Sequence, residues 1–91
     1  MKKDFSHLSE EDQAELVDYD GNIIQFIRNP SANVQRIALQ QNLASFLHID
    51  NPTALSIDTI KMAIQMSVHA MTADEVEQVY VRLEELGVIK K

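Results

Sequence analysis

Apolar side chains recur at helical spacing through most of the chain, and no stretch alternates strictly between apolar and polar residues. Glycine and proline occur only twice each, whereas the helix-favouring residues leucine, isoleucine, alanine, glutamine and glutamate are abundant. The pattern therefore predicts an all-α fold of about five helices in one domain over residues 1–91. The expected segments are a first helix over 8–20, a repeat unit over 22–42, a second unit over 43–71 and a C-terminal capping helix over 72–91.

Polar residues mark the places where these helices begin and end. Ser9 precedes three acids and is predicted to be the N-cap of the first helix, and Ser31 is expected to cap the next. Thr72 and Glu75 have the spacing of a capping box, in which each side chain accepts a hydrogen bond from the other's backbone amide. Gly87 is expected to end the last helix in the left-handed conformation.

The segment after Pro52 is expected to form the longest helix, beginning near Thr53–Ser56 and ending near Ala70. Apolar residues cover most of its circumference, which predicts a helix at the centre of the domain. Met62 and Met66 lie one turn apart beside the main apolar stripe. They are either core residues or, if that arc is uncovered, an adaptable apolar surface for self-association or for a partner. The main stripe consists of Ile57, Ile60, Ile64, Val68 and Met71.

Two Asn-Pro pairs give the chain an internal repeat. The segment IQFIRNPS over residues 24–31 is echoed by FLHIDNPT over residues 46–53, and each leads into a longer helix. A unit made of a short helix, a corner and a longer helix cannot bury its apolar face alone. Stacking a second unit on the first is therefore expected.

Residues 22–42, NIIQFIRNPSANVQRIALQQN, resemble a helical repeat that occurs in several copies in bacterial, phage and giant-virus proteins. That repeat reads approximately I-x-[FY]-I-[KR]-N-P-S-x-x-V-Q-x-x-A-[LV]-x-Q-N and stacks in the manner of HEAT-like repeats. The resemblance is looser in the second unit, and the first helix and residues 72–91 do not match it. It implies two stacked HEAT-like hairpins with flanking cap helices, and a scaffold that binds other macromolecules without catalytic residues. The matching residues are Phe26, Ile27, Asn29, Pro30, Ser31, Val34, Gln35, Ala38, Gln41 and Asn42.

The charge of the chain is concentrated near its beginning. The net charge is -6, and residues 4–20 contain seven acids and no lysine or arginine. Such acidity disfavours direct nucleic-acid binding, which needs clustered lysine and arginine. It favours either a solvated helix face or a patch that meets a basic surface of another protein. The residues expected to contact such a partner are Glu10, Glu11, Asp12 and Glu15, with Met62 and Met66 as the apolar alternative.

Other chemistries find little support in the sequence. The chain has no cysteine, and its three histidines do not stand at a metal-binding spacing, so we expect no metal, no cofactor and no catalytic residues. The first residues contain no apolar run, which predicts neither a signal peptide nor a membrane span and favours a cytoplasmic location.

These observations predict a non-enzymatic protein-binding module. The resemblance to the helical repeat implies that this module is an inhibitor or accessory protein of phage or mobile-element origin. Two alternatives stay open. The first is a homo-oligomeric assembly subunit that uses Met62 and Met66. The second is a protein similar to acyl carrier proteins, with Ser56 as the attachment site, although Leu55 stands where that family has Asp. An N-cap role for Ser56 is the simpler interpretation.

Overall fold

The structure is a computed structural model that describes residues 4–67 and 70–89. Within these residues it contains four α-helices and two 3₁₀ helices and no β-strand, which confirms the predicted all-α fold. None of the described helices has the length and hydrophobicity needed to cross a membrane. The elements are α1 (Glu10–Tyr19), a first 3₁₀ helix (Gly21–Phe26), α2 (Ala32–Gln41), a second 3₁₀ helix (Leu43–His48), α3 (Ala54–Gln65) and α4 (Ala73–Glu85).

The structure repeats with a period of 22 residues. Asn29 and Asn51 stand at equivalent places in the two Asn-Pro corners, and Asn51 Nδ2 donates a 2.8 Å hydrogen bond to Asn29 Oδ1. The N-caps Ser9, Ser31 and Thr53 follow the same spacing, and each side chain accepts a hydrogen bond from the backbone amide three residues later. The helices α1, α2 and α3 therefore begin at equivalent places of this period, and from here on we call each of them, with the connection that follows it, a unit.

The connections after α1 and α2 follow the same period. Asp20 and Asn42 each cap a six-residue 3₁₀ helix by accepting a hydrogen bond from the amide two residues later. Ile27 and Ile49 end these segments and are fully buried. α1 thus has the same kind of N-cap and following turn as α2, although its sequence does not match the repeat.

The central helix is α2, and the prediction that the helix after Pro52 occupies the centre is wrong. α2 packs against both α1 and α3 and carries four buried residues, whereas α3 buries only Ser56 and Ile60. α3 is also not the longest helix, since it has 12 residues and α4 has 13. It ends at Gln65 rather than near Ala70, because Ser67 adopts a positive φ of 56°. Val68 of the predicted stripe lies outside the described residues.

The boundaries of α4 are as the sequence predicts. Thr72 and Glu75 form the capping box, with hydrogen bonds of 2.9 and 3.2 Å. Gly87 has a φ of 75°, the Gly87 amide donates to Glu84 O, and the Val88 amide donates to Leu83 O. This is the Schellman arrangement, which satisfies carbonyls at the helix end and turns the chain back onto it.

All six helices contribute to one apolar core. α1 supplies Val17, α2 supplies Val34 and Ala38, and α4 supplies Val79 and Leu83. The second 3₁₀ helix supplies Phe46, which is fully buried. Burial of this set explains why the three units stack, since none of them has enough apolar surface alone.

Candidate protein-binding surface

Equivalent positions of α1, α2 and α3 form what we call the outer face of the stack. In each helix three residues at i, i+4 and i+7 share one side, and the 22-residue period places these sides next to one another. All are exposed except Ile37, which is half-buried. The character of the face changes from acidic on α1 to polar on α2 and to apolar on α3. Its residues are Glu11, Glu15 and Asp18 on α1, Asn33, Ile37 and Gln40 on α2, and Leu55, Thr59 and Met62 on α3.

The acidic end of this face lies on α1, together with the neighbouring first-turn acids. The predicted residues Glu10, Glu11, Asp12 and Glu15 are all exposed on this helix, and Asp18 joins them. The ion pairs found among the described residues are Arg28–Asp4 and Arg82–Glu85, so none of these five carboxylates has a described cationic partner. Carboxylates in the first turn of α1 are also stabilised by the positive end of the helix dipole, which explains part of their placement.

Two further acids of the run have structural roles instead. Asp20 caps the first 3₁₀ helix, and Asp4 joins the N-terminal segment to the first corner. Asp4 Oδ2 accepts a 3.0 Å hydrogen bond from Arg28 Nη2, and Asp4 Oδ1 accepts one of 2.9 Å from the Ser6 amide. Hydrogen bonds from Ser6 lower the pKa of the Asp4 carboxyl below its ordinary range, and the nearby Arg28 charge acts in the same direction.

The apolar end of the outer face lies on α3. Leu55 is 58 % exposed, Met62 59 % and Met66 66 %, so this arc is surface rather than core. The inner stripe of the same helix, formed by Ile57, Ile60 and Ile64, packs against the domain. α3 is therefore apolar on two sides but covered on only one, which is the reason that its sequence predicts a central helix.

An open groove of about 500 Å³ separates α2 from α3 on the outer face. Its walls are mainly apolar, and Arg36 on α2 is its cationic residue. Arg36 Nη2 donates a 2.7 Å hydrogen bond to Asn33 Oδ1 and forms no ion pair with a described residue. The groove is lined by Arg36, Leu39, Gln40, Leu43, Leu55, Ser56, Thr59 and Ala63.

The structure does not bring the acidic and the methionine residues into one compact site. α1 and α3 lie on opposite sides of α2, and helix axes in contact are about 8–10 Å apart, so the two ends are separated by roughly 20 Å. They are instead the two ends of one continuous face. Sequence reasoning missed this relationship because it found the period at the two Asn-Pro corners but did not extend it back to Ser9.

Ser56 has a structural role that does not favour the carrier alternative. Thr53, rather than Ser56, is the N-cap of α3, so the predicted cap position is wrong by three residues. Ser56 is 3 % exposed, and its hydroxyl donates a 2.7 Å hydrogen bond to Gln35 Oε1. Attachment of a prosthetic arm to this oxygen would break a buried hydrogen bond between two units.

The described residues contain no group of three or more histidine, aspartate or glutamate side chains arranged to hold a metal ion. Comparisons of the chain with protein-family models, with curated proteins and with solved structures gave no match.

Proposed function

We propose that the protein is a small, non-enzymatic binding module whose acidic α1 surface contacts a basic surface of another protein. The observation that carries the proposal is the set of five exposed carboxylates on one ten-residue helix, without a cationic partner among the described residues. Unpaired charges of one sign produce a field that speeds the encounter with an oppositely charged surface and makes binding sensitive to salt.

The stacked units support the same proposal. A row of helices offers an extended surface in which each unit presents the same positions to a partner. The resemblance of residues 22–42 to HEAT-like repeats in phage and bacterial proteins is consistent with a scaffold of this kind. We further propose that the module is cytoplasmic, and that it is an inhibitor or accessory protein of phage or mobile-element origin. Its target would be a protein with a basic surface, including one that itself binds nucleic acid.

The proposal is tested by quantitative capture of partners from the native host's lysate. The tagged protein is compared with Glu11→Lys/Glu15→Lys on α1 and with Asp74→Lys/Glu77→Lys on α4. The two double variants change the net charge equally, and each replaces one acid at the second position of a helix and one in the following turn. They therefore differ mainly in which surface they alter.

A dominant protein partner should be captured at low salt and lost near 0.5 M salt, where the Debye length is only about 4 Å. We expect the α1 variant to lower its recovery by about tenfold and the α4 variant to leave it within about twofold. Equal losses in both variants would show that net charge, rather than the α1 surface, governs capture. Recovery of the bait alone would contradict the proposal.

A further inference from the structure

We infer that the groove between α2 and α3, together with exposed Leu55, Met62 and Met66, is the docking site for an amphipathic helix of the partner. The inference rests on the proposed function and adds the chemistry of the partner segment. That segment carries large apolar side chains at the end over α3 and basic residues at the end over α1. One helix lying across the outer face would thus contact all three units.

The apolar end of the outer face is a continuous strip of side chains on α3. Leu55, Thr59, Met62 and the C-cap residue Met66 follow one another at intervals of four, three and four residues, so they share one side of the helix. Leu55 and Thr59 also line the groove beside α2, which offers room for a side chain of the incoming helix. Methionine side chains adapt to partners of different shape, as promiscuous helix-binding surfaces do.

The carboxylates of α1 determine the charge of the partner segment at its other end, which must be basic to complement them. Carboxylates occupy, on α1, the positions that Leu55, Thr59 and Met62 occupy on α3, and nothing described neutralises them. A helix that reaches across the roughly 20 Å between these ends needs about 13 residues at 1.5 Å each. Where it crosses α2 it meets Arg36, which favours a neutral or acidic residue at the middle of the segment.

The same considerations disfavour a second copy of this chain as the occupant. Each copy has a net charge of -6, so two copies repel one another, whereas a basic segment is attracted.

The test selects binders from a random 16-residue peptide library displayed on phage, with the whole chain as bait. The affinity of the enriched peptide is then measured by fluorescence anisotropy for the wild type, Met62→Glu/Met66→Glu and Glu11→Lys/Glu15→Lys. Val81→Glu is the single-site control for placing glutamate at an exposed apolar position, since Val81 is a 49 % exposed apolar residue on α4. Asp74→Lys/Glu77→Lys is the control for the acids, and circular dichroism checks that each variant is folded.

We expect enrichment of peptides with helically spaced apolar residues at one end and lysine or arginine at the other. Met62→Glu/Met66→Glu should weaken their binding by about tenfold or more, while Val81→Glu changes it by less than about twofold. The α1 variant should weaken binding and reduce its salt dependence, and the α4 acid control should do neither.

Several results would overturn the inference. Three of them are enrichment of peptides without basic residues, absence of any enriched peptide, and equal effects of the Met62/Met66 and Val81 variants. A dimer found by analytical ultracentrifugation and abolished by Met62→Glu/Met66→Glu would also overturn it, because the occupant would then be a second copy. Loss of binding in the α1 variant without an effect of the methionine variant would refute the groove and leave the proposed function standing. If neither the α1 variant nor the methionine variant changes binding, both the docking groove and the proposed function are refuted.

Discussion

Gln13 and Gln35 make the same contact in consecutive units: each Nε2 donates a 3.0 Å hydrogen bond to the carbonyl oxygen five residues earlier. Both side chains are buried, and both hold the corner that precedes their own helix. Gln35 does more than Gln13, since it also reaches the next corner through Asn51 O, the Thr53 amide and the Ser56 hydroxyl. Buried polar groups of this kind must be satisfied, so Gln35 fixes how the second and third units fit together.

Replacement of Gln35 should therefore be among the most destabilising substitutions of a polar residue in this chain. Gln35→Met keeps the approximate length of the side chain but removes four hydrogen bonds and leaves the Thr53 amide and two carbonyls without this partner. We expect the free energy of unfolding, measured with urea, to fall by about 3 kcal/mol. Gln40→Met is the control, because Gln40 is exposed, and should change it by less than about 0.5 kcal/mol. Similar values for the two variants would refute the linking role of Gln35.

Gly21 is required for space rather than for backbone conformation. A Cβ at this position would lie 2.7 Å from the Ala38 carbonyl oxygen, and the Gly21 amide donates a 2.7 Å hydrogen bond to Gln41 Oε1. Gly21→Ala should force the end of α1 away from α2 and lower the free energy of unfolding by about 1–3 kcal/mol.

Gly87 provides the contrasting case for the same experiment. It has a φ of 75°, but a Cβ there would meet nothing within 4 Å. Because asparagine tolerates the left-handed conformation, Gly87→Asn should be mild, whereas Gly21→Asn should be at least as harmful as Gly21→Ala. Urea denaturation of the three variants measures the difference. Equal losses for asparagine at both positions would contradict this account of Gly21.

The exposed methionines allow a direct check that α3 has one free side. Met62→Glu/Met66→Glu should leave the free energy of unfolding within about 0.5 kcal/mol of the wild type, because both side chains are mostly exposed. Ile60→Ala on the inner stripe should lower it by about 2–5 kcal/mol, since Ile60 is fully buried. If the free energy of unfolding falls as much in the methionine variant as in Ile60→Ala, Met62 and Met66 belong to the core and the docking surface does not exist.

The contact of Asp4 with Ser6 and Arg28 predicts a specific dependence of stability on pH. The pKa of Asp4 is lower in the folded protein than in the unfolded chain, so its contribution to stability is present above the ordinary value of about 3.9. That contribution is lost as the pH falls through the lowered pKa. The difference in urea midpoint between the wild type and Asp4→Asn should therefore be constant near neutral pH and shrink in acid. A difference that does not change between about pH 6 and pH 2 would contradict the assignment.

The sequence predicts the local structure better than the arrangement of the helices. Ser9, Ser31, Thr72 and Gly87 begin or end their helices as expected, because capping depends on a few neighbouring residues. The N-cap of α3 is Thr53, whereas the sequence favours Ser56. Both residues have a side-chain hydroxyl that can cap a helix, so the sequence alone does not separate them. Which side of a helix is covered depends instead on residues far apart in the chain.

The misplaced α3 illustrates this limit. The sequence identifies the stripe that contains Ile60 but leaves open whether the Met62 side is covered. The packing of α2 and the second 3₁₀ helix shows that the Ile60 side is inner and the Met62 side is outer. The acidic residues of α1 are recognisable as a charged run, but their alignment with Leu55 and Met62 follows from the 22-residue stack. The candidate surface therefore needed the structure, whereas its separate parts did not.

Chemical footprinting of the complex with its captured partner tests the central claim most directly, because one experiment reports on both ends of the outer face. Carbodiimide labelling measures the accessibility of carboxylates, and hydroxyl-radical oxidation measures that of methionines. We predict that the partner protects Glu11, Glu15, Met62 and Met66 while Asp74 and Glu77 on α4 stay as reactive as in the free protein. Protection confined to α4, with α1 and α3 labelled as in the free chain, would contradict the account.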